Sequence, residues 1–172
     1  MTMTEQTIRD IFVVGLRNAH ALENEALSIM NRQLDRLESY PELALRLRLH
    51  VDETEGQIDR LDAILEGLSE DASTLKDTAA SVMGNMAALG HTVAGDEILK
   101  NTFADYAFEN YEIAAYRSLL AMAEQGAFTE AMPLLQQSLE QEEDMARWLE
   151  GQLKPFTLRY MERETAGLQA KR

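Results

Sequence analysis

His50-Val51-Asp52-Glu53-Thr54-Glu55-Gly56-Gln57 stands in the middle of a helical pattern and breaks it. Leu43 and Leu47 set an apolar stripe upstream, and Leu61, Leu65 and Leu68 resume it downstream. Between them the same spacing lands on His50 and Thr54. Burying an imidazole or a carboxylate without a partner costs several kcal/mol. The stretch therefore decides between an ordinary apolar bundle and one built around a polar layer. His-x-x-Glu on one helix face is also ligand spacing for a metal, so the other helices have to be searched for matching donors.

The chain outward from this stretch reads as four helices. Helix one spans about residues 5–38, with Thr4 as N-cap and Glu5 in the first turn. Its stripe runs through Ile8, Ile11, Phe12, Gly15, Ala19, Leu22, Ala26, Met30, Leu34 and Leu37, with Glu23 on it. Ser39-Tyr40-Pro41 is a short break in which Ser39 can cap and Pro41 suits the first turn of helix two, about 41–68. Residues 71–94 are read as a crossover of short, small-residue helices. Helix three, about 95–125, carries Ile98, Thr102, Asp105, Glu109, Glu112, Ile113, Tyr116, Leu120 and Ala123 inward and stops at Gly126. Helix four, about 129–154, has Thr129 as cap, Glu142 on its stripe, and Pro155 to end or kink it. Residues 155–172 form a tail whose first part is expected to pack on the body or on a partner chain and whose last residues are expected to be mobile. The prediction is a single all-α domain: a ferritin-like four-helix bundle with a long helical crossover between helices two and three.

Composition narrows the function. The length of 172 residues suits one domain with a four-helix core. A formal charge of −14 argues against a nucleic-acid-coating protein. With no cysteine, thiolate metal sites, iron–sulfur clusters, disulfides and thiol catalysis are excluded. Met1 to Arg9 lacks the character of a secretory signal, and no window approaches the roughly 20 apolar residues of a membrane span, so a soluble cytoplasmic protein is expected.

Position within the hairpins gathers the inward acids. Two residues of an antiparallel hairpin are level when equally far from its turn. The midpoint of Glu23 and Glu53 falls beside Ser39, and the midpoints of Glu109 and of Glu112 with Glu142 flank Gly126. Each pair lies roughly 20–24 Å from its turn at about 1.5 Å per residue. Turns at the same end of the bundle would put Glu23, His50, Glu53, Glu109, Glu112 and Glu142 in one layer. Carboxylates plus imidazole without sulfur suit iron or manganese, and less selectively zinc. Five converging carboxylates would repel one another, and two divalent ions bridged by glutamates offset that repulsion. His20, three residues before Glu23, is either a further ligand or a partner of one.

Leu-Glu-Asn-Glu around Glu23, His50 to Gln57, Glu-Asn-Tyr-Glu-Ile-Ala-Ala-Tyr from Glu109 to Tyr116, and Leu-Glu-Gln-Glu-Glu from Leu139 to Glu143 together resemble the ferritin-like stress proteins of the YciE and YciF type, a bacterial domain of unknown function. The resemblance covers about residues 8–153. It implies a dinuclear centre on Glu23, His50, Glu53, Glu109, Glu112 and Glu142, a homodimer, a cytoplasmic location and a link to stress. Two positions depart from the pattern: His20, where an aromatic is usual, and Ala146, where an acid often follows Glu142 by one turn. The functional expectation is a di-metal carboxylate protein reacting with oxygen or peroxide. The alternative is a non-enzymatic structural or stress-response dimer whose polar layer is structural or vestigial. DNA protection is disfavoured by a short tail that is not strongly basic.

Overall fold

The computed structural model describes residues 4–70 and 95–170. They form α1 (Glu5–Leu34), α2 (Pro41–Gly67), α3 (Glu97–Gln125) and α4 (Ala131–Thr165), with no strand among the described residues. The expected crossover, residues 71–94, lies outside them. α1 packs on α2 and α3, and α4 packs on α3 and α2, which closes a ferritin-like four-helix bundle. Thr4 caps α1 as expected, its Oγ1 accepting from the Thr7 N–H at 3.2 Å. Among the described residues no helix is long and apolar enough to cross a membrane.

The two short turns sit at opposite ends of the bundle, not at the same end. At one end Arg9 donates to the Leu68 carbonyl at 2.6 Å, and Phe12 stacks on Phe128 with centroids 4.7 Å apart. At that end a Cβ on Gly126 would run into the Phe128 ring and Ile8, so only glycine fits the turn. At the other end Arg36 pairs with Glu97, Arg159 pairs with Glu42, and Tyr40 meets Phe156 edge-on at 5.7 Å. α2 and α3 consequently run parallel. The acids still converge, because a helix of 30 residues is about 45 Å long and 20–24 Å from either end is its middle.

Several boundaries differ from the sequence reading. α1 stops at Leu34, four residues early, because Leu37 and Tyr40 both turn into the core while Arg36 reaches Glu97. Its buried stripe is also rotated: Phe12, Val13 and Leu16 are inside, and Ile11 is exposed. Ser39 does not cap α2; its Oγ accepts from Arg163 at 2.9 Å and donates to the Gln169 carbonyl at 3.3 Å. Thr129 does not cap α4, whose N-cap is Glu130.

Nor does Pro155 end α4, which continues ten residues further to Thr165. A helix-interior proline loses one backbone bond and crowds the carbonyl four residues back, at a cost of about 3 kcal/mol. Next to it Phe156 is fully buried between Tyr40 and Trp148, which returns about 1.5–3 kcal/mol. Gly167, at φ +67°, then turns the chain back, with the Leu168 N–H on the Arg163 carbonyl at 2.9 Å. The tail is docked through Ala170, whose carbonyl accepts from the Tyr40 hydroxyl at 2.8 Å.

Two apolar cores result. One gathers Phe12, Leu16, Leu61, Leu65, Leu119 and Leu135 toward the Gly126 end. The other gathers Met30, Leu43, Leu47, Ile98, Leu149 and Phe156 toward the Tyr40 end. The polar layer lies between them.

Candidate metal centre

His50 projects from the middle of α2 and is 1% exposed. Its Nε2 lies 3.2 Å from Glu109 Oε2 on α3 and 3.5 Å from Glu142 Oε2 on α4. These three residues offer ligand atoms that all lie within 4.8 Å of one another. Burial opposes a charged imidazole, but the surrounding carboxylates, Glu109 foremost, outweigh it and hold the His50 pKa well above its ordinary value.

Glu53 takes a different place from the one its spacing suggests. One turn on from His50, it receives the ring's other nitrogen, with Oε2 2.8 Å from Nδ1, and the same oxygen accepts from Arg46 at 2.9 Å. The pair orients the imidazole so that Nε2 faces Glu109 and Glu142, as carboxylate–histidine pairs do around metals. Burial alone would raise the Glu53 pKa; the bonds from His50 and Arg46 prevail and lower it.

Glu23 and Glu112 are each 1% exposed and complete the layer electrostatically. Burial, then the charge of Glu142, pushes the Glu23 carboxyl well up; Glu112 is raised by burial and then by Glu23, Glu142 and Glu109. Glu142, fully buried, is pushed up to about 7, by burial first. Tyr116 donates to Glu23 Oε1 at 2.5 Å, and Gln57 donates a short bond to Glu142 Oε1. Arg60, a turn beyond Gln57, donates from Nε to Ser138 at 3.0 Å and from Nη2 to Gln141.

One buried oxygen on each of Glu23, Glu109, Glu112 and Glu142 has no hydrogen-bond partner, and neither has Thr54 Oγ1 or Gln57 Oε1. Glu109 Oε2, although within ion-pair distance of His50, is not aligned to accept a hydrogen bond from it. Orphaned buried acceptors each cost free energy, so four in one layer mark a place where positive charge belongs. The ligand atoms of His50, Glu109 and Glu142, two carboxylate oxygens and one imidazole nitrogen, suit iron, manganese or zinc, and Glu23 and Glu112 carry further unmatched oxygens.

Of the six expected ligands, the structure brings His50, Glu109 and Glu142 into one group, sets Glu23 and Glu112 beside it, and turns Glu53 to the back of His50. His20 faces outward, with Nε2 3.2 Å from Asp62 Oδ1 and Nδ1 3.3 Å from the Asn24 amide. Arg46 and Arg60 were not foreseen. Arg46 is one turn before His50, a spacing visible in the sequence, whereas the Arg60–Ser138 pairing joins two helices and leaves no local signal.

Residues 7–162 match the family described as Domain of unknown function (DUF892). The chain is 31% identical over 147 residues to Protein YciF of Escherichia coli strain K12, covering 81% of this chain and 86% of that one. A crystal structure of a protein from Xanthomonas campestris pv. campestris superposes with a TM-score of 0.78 at 32% identity, covering 92% and 99% of the two chains. The crystal structure of the E. coli stress protein YciF gives 0.69 at 28% identity, covering 86% and 94%. The match spans most of the chain, which belongs to the DUF892 family.

Proposed function

We propose that the protein binds divalent transition ions, iron or manganese, in the mid-bundle layer, and that it serves in a stress response through them. The observation that carries this is the buried group of His50, Glu109 and Glu142, with an orphaned oxygen on each of these glutamates and on Glu23 and Glu112. His50, Glu109 and Glu142 would hold one ion, and Glu23 and Glu112 would supply oxygens to a second. Such ions, when bound, supply Lewis acidity and one-electron chemistry toward oxygen or peroxide. The chain's own residues do the rest. Glu53 and Arg46 fix the imidazole, Gln57 fixes Glu142, Tyr116 holds its hydroxyl proton on Glu23, and the two apolar cores keep bulk water out.

Elemental analysis of protein purified with iron and manganese available tests the reading. At least one equivalent of metal is expected. Less than about a tenth of an equivalent, with no uptake of added Fe(II) or Mn(II), overturns it.

A structural role for the layer is the second reading, favoured by one observation: burial raises the Glu23, Glu112 and Glu142 carboxyls together, so protons alone can partly neutralise the layer. Combining Glu53→Gln with Glu112→Gln would then leave stability and cellular phenotype unchanged. The family resemblance adds a homodimer in the bacterial cytoplasm, which gel filtration and cell fractionation check.

A further inference from the structure

Asp105 lies one helical turn before Glu109 on α3, and is 6% exposed. Its Oδ1 accepts from Gln33 Nε2 of α1 at 2.7 Å. Asp105 Oδ2 and Gln33 Oε1 are both buried and both without a partner. These are the remaining oxygens of two groups already joined by one bond, and both are acceptors. A carboxylic acid and a primary amide close a cyclic pair by two bonds, N–H to O and O–H to O. One proton on Oδ2 supplies the second bond and satisfies both orphans together. The pair holds two orphaned oxygens, fewer than the four to six ligands divalent metal ions take.

We propose that Gln33 and Asp105 form a cyclic acid–amide pair that stores one proton beside the centre and releases it to solvent when a dication enters. The release half rests on the metal reading of the centre; the storage half does not. On release the Oδ2–H bond breaks, Asp105 becomes a carboxylate that keeps the Gln33 N–H, and one positive charge leaves as two arrive.

The surroundings agree. Burial raises the Asp105 pKa to about 7, with the Gln33 bond and the His50 charge acting the other way. The groups that act on it are Gln33 from α1 and His50 from α2, and its neighbours one turn away along α3 are Thr102 and Glu109. On α4, Glu142 Oε2 lies 3.5 Å from His50 Nε2. Thr102 is spoken for, its hydroxyl donating to the Ile98 carbonyl at 2.8 Å. Two turns before Asp105 the Arg36–Glu97 pair closes the bundle end. A dication at Glu109 adds to the charge of His50 that already works against the proton, so metal entry empties the store.

Infrared spectra of metal-free protein carrying 13C only in aspartate separate Asp105 from the protonated glutamates. At about pH 6, one isotope-shifted carboxylic-acid carbonyl band is expected in the wild type and none in Asp105→Asn, which keeps both bonds of the pair through its amide. Absence of that band in the wild type overturns the storage. Titration with Mn(II) in weak buffer should then release about one proton fewer from Asp105→Asn than from the wild type at equal manganese stoichiometry. Equal release overturns the release half, and a lower stoichiometry in the variant shows a metal position in place of a proton store. If neither protein takes up manganese, the metal reading fails and the release half fails with it, while the band still decides the pair.

Discussion

Two regions of this bundle bury polar groups, and they differ in whether those groups find partners. At the Tyr40 end, the Tyr40 hydroxyl bonds Ala170, Ser39 bonds Arg163 and Gln169, and Arg36 pairs with the 1%-exposed Glu97. None of the Ser39, Tyr40 or Glu97 side-chain oxygens is among the orphaned ones. In the middle of the bundle, four of the five glutamates in the expected ligand set leave an oxygen unmatched. Both regions bury polar groups, but only one is chemically closed. Closed polar clusters hold a chain in place, whereas open ones hold it ready for something absent from the chain itself.

Opening the middle further should have the largest effect. His50→Ala removes the countercharge from Glu109 and Glu142 and is expected to cost about 3–5 kcal/mol in urea unfolding, with loss of divalent-ion uptake. A smaller loss than at Tyr40 would erase the contrast between the regions.

Next comes pH. In the fold Glu142 keeps its proton up to about 7, while in the unfolded chain it releases it near 4.5. Between those values the folded state binds the extra proton, so this contribution is complete at the acid end and is lost as pH rises through 7. The loss is about 3 kcal/mol for metal-free protein, and Glu142→Gln should flatten it relative to wild type across that window. A parallel slope in the variant would remove Glu142 as its source.

Metal should reverse the trend. Mn(II) at a concentration 100 times its dissociation constant at neutral pH is expected to add about 2.7 kcal/mol there. The same concentration adds more at alkaline pH, where loss of the Glu142 proton tightens binding. Thermal melts with and without Mn(II) at two pH values read this directly. The smallest effect belongs to the closed region. Tyr40→Phe should cost about 1 kcal/mol, with no slope near neutrality and unchanged metal uptake.

The contrast was half legible in the amino-acid order. Polar residues at core spacing, Glu23, His50, Glu109, Glu112 and Glu142, announced a layer because helical periodicity assigns faces without knowing the neighbours. The closed end gave no such signal. Tyr40 and Ser39 look like turn residues, and Ala170 looks like a free tail, since their bonds span some 130 positions. Pro155 looked like a terminus because propensity weighs the lost backbone bond and not the Phe156 pocket that offsets it.

Local periodicity alone sets the helices, the hairpin lengths and the distance of each acid from its turn. That distance was half a helix, which is why the layer formed even though the turns lie at opposite ends. Which oxygens meet depends on how the four helices pack. That packing grouped His50 with Glu109 and Glu142, sent Glu53 to the back of the ring to meet Arg46, and paired Gln33 with Asp105. Those choices depend on side-chain reach and helix rotation across the bundle, to which no spacing along a single helix is sensitive.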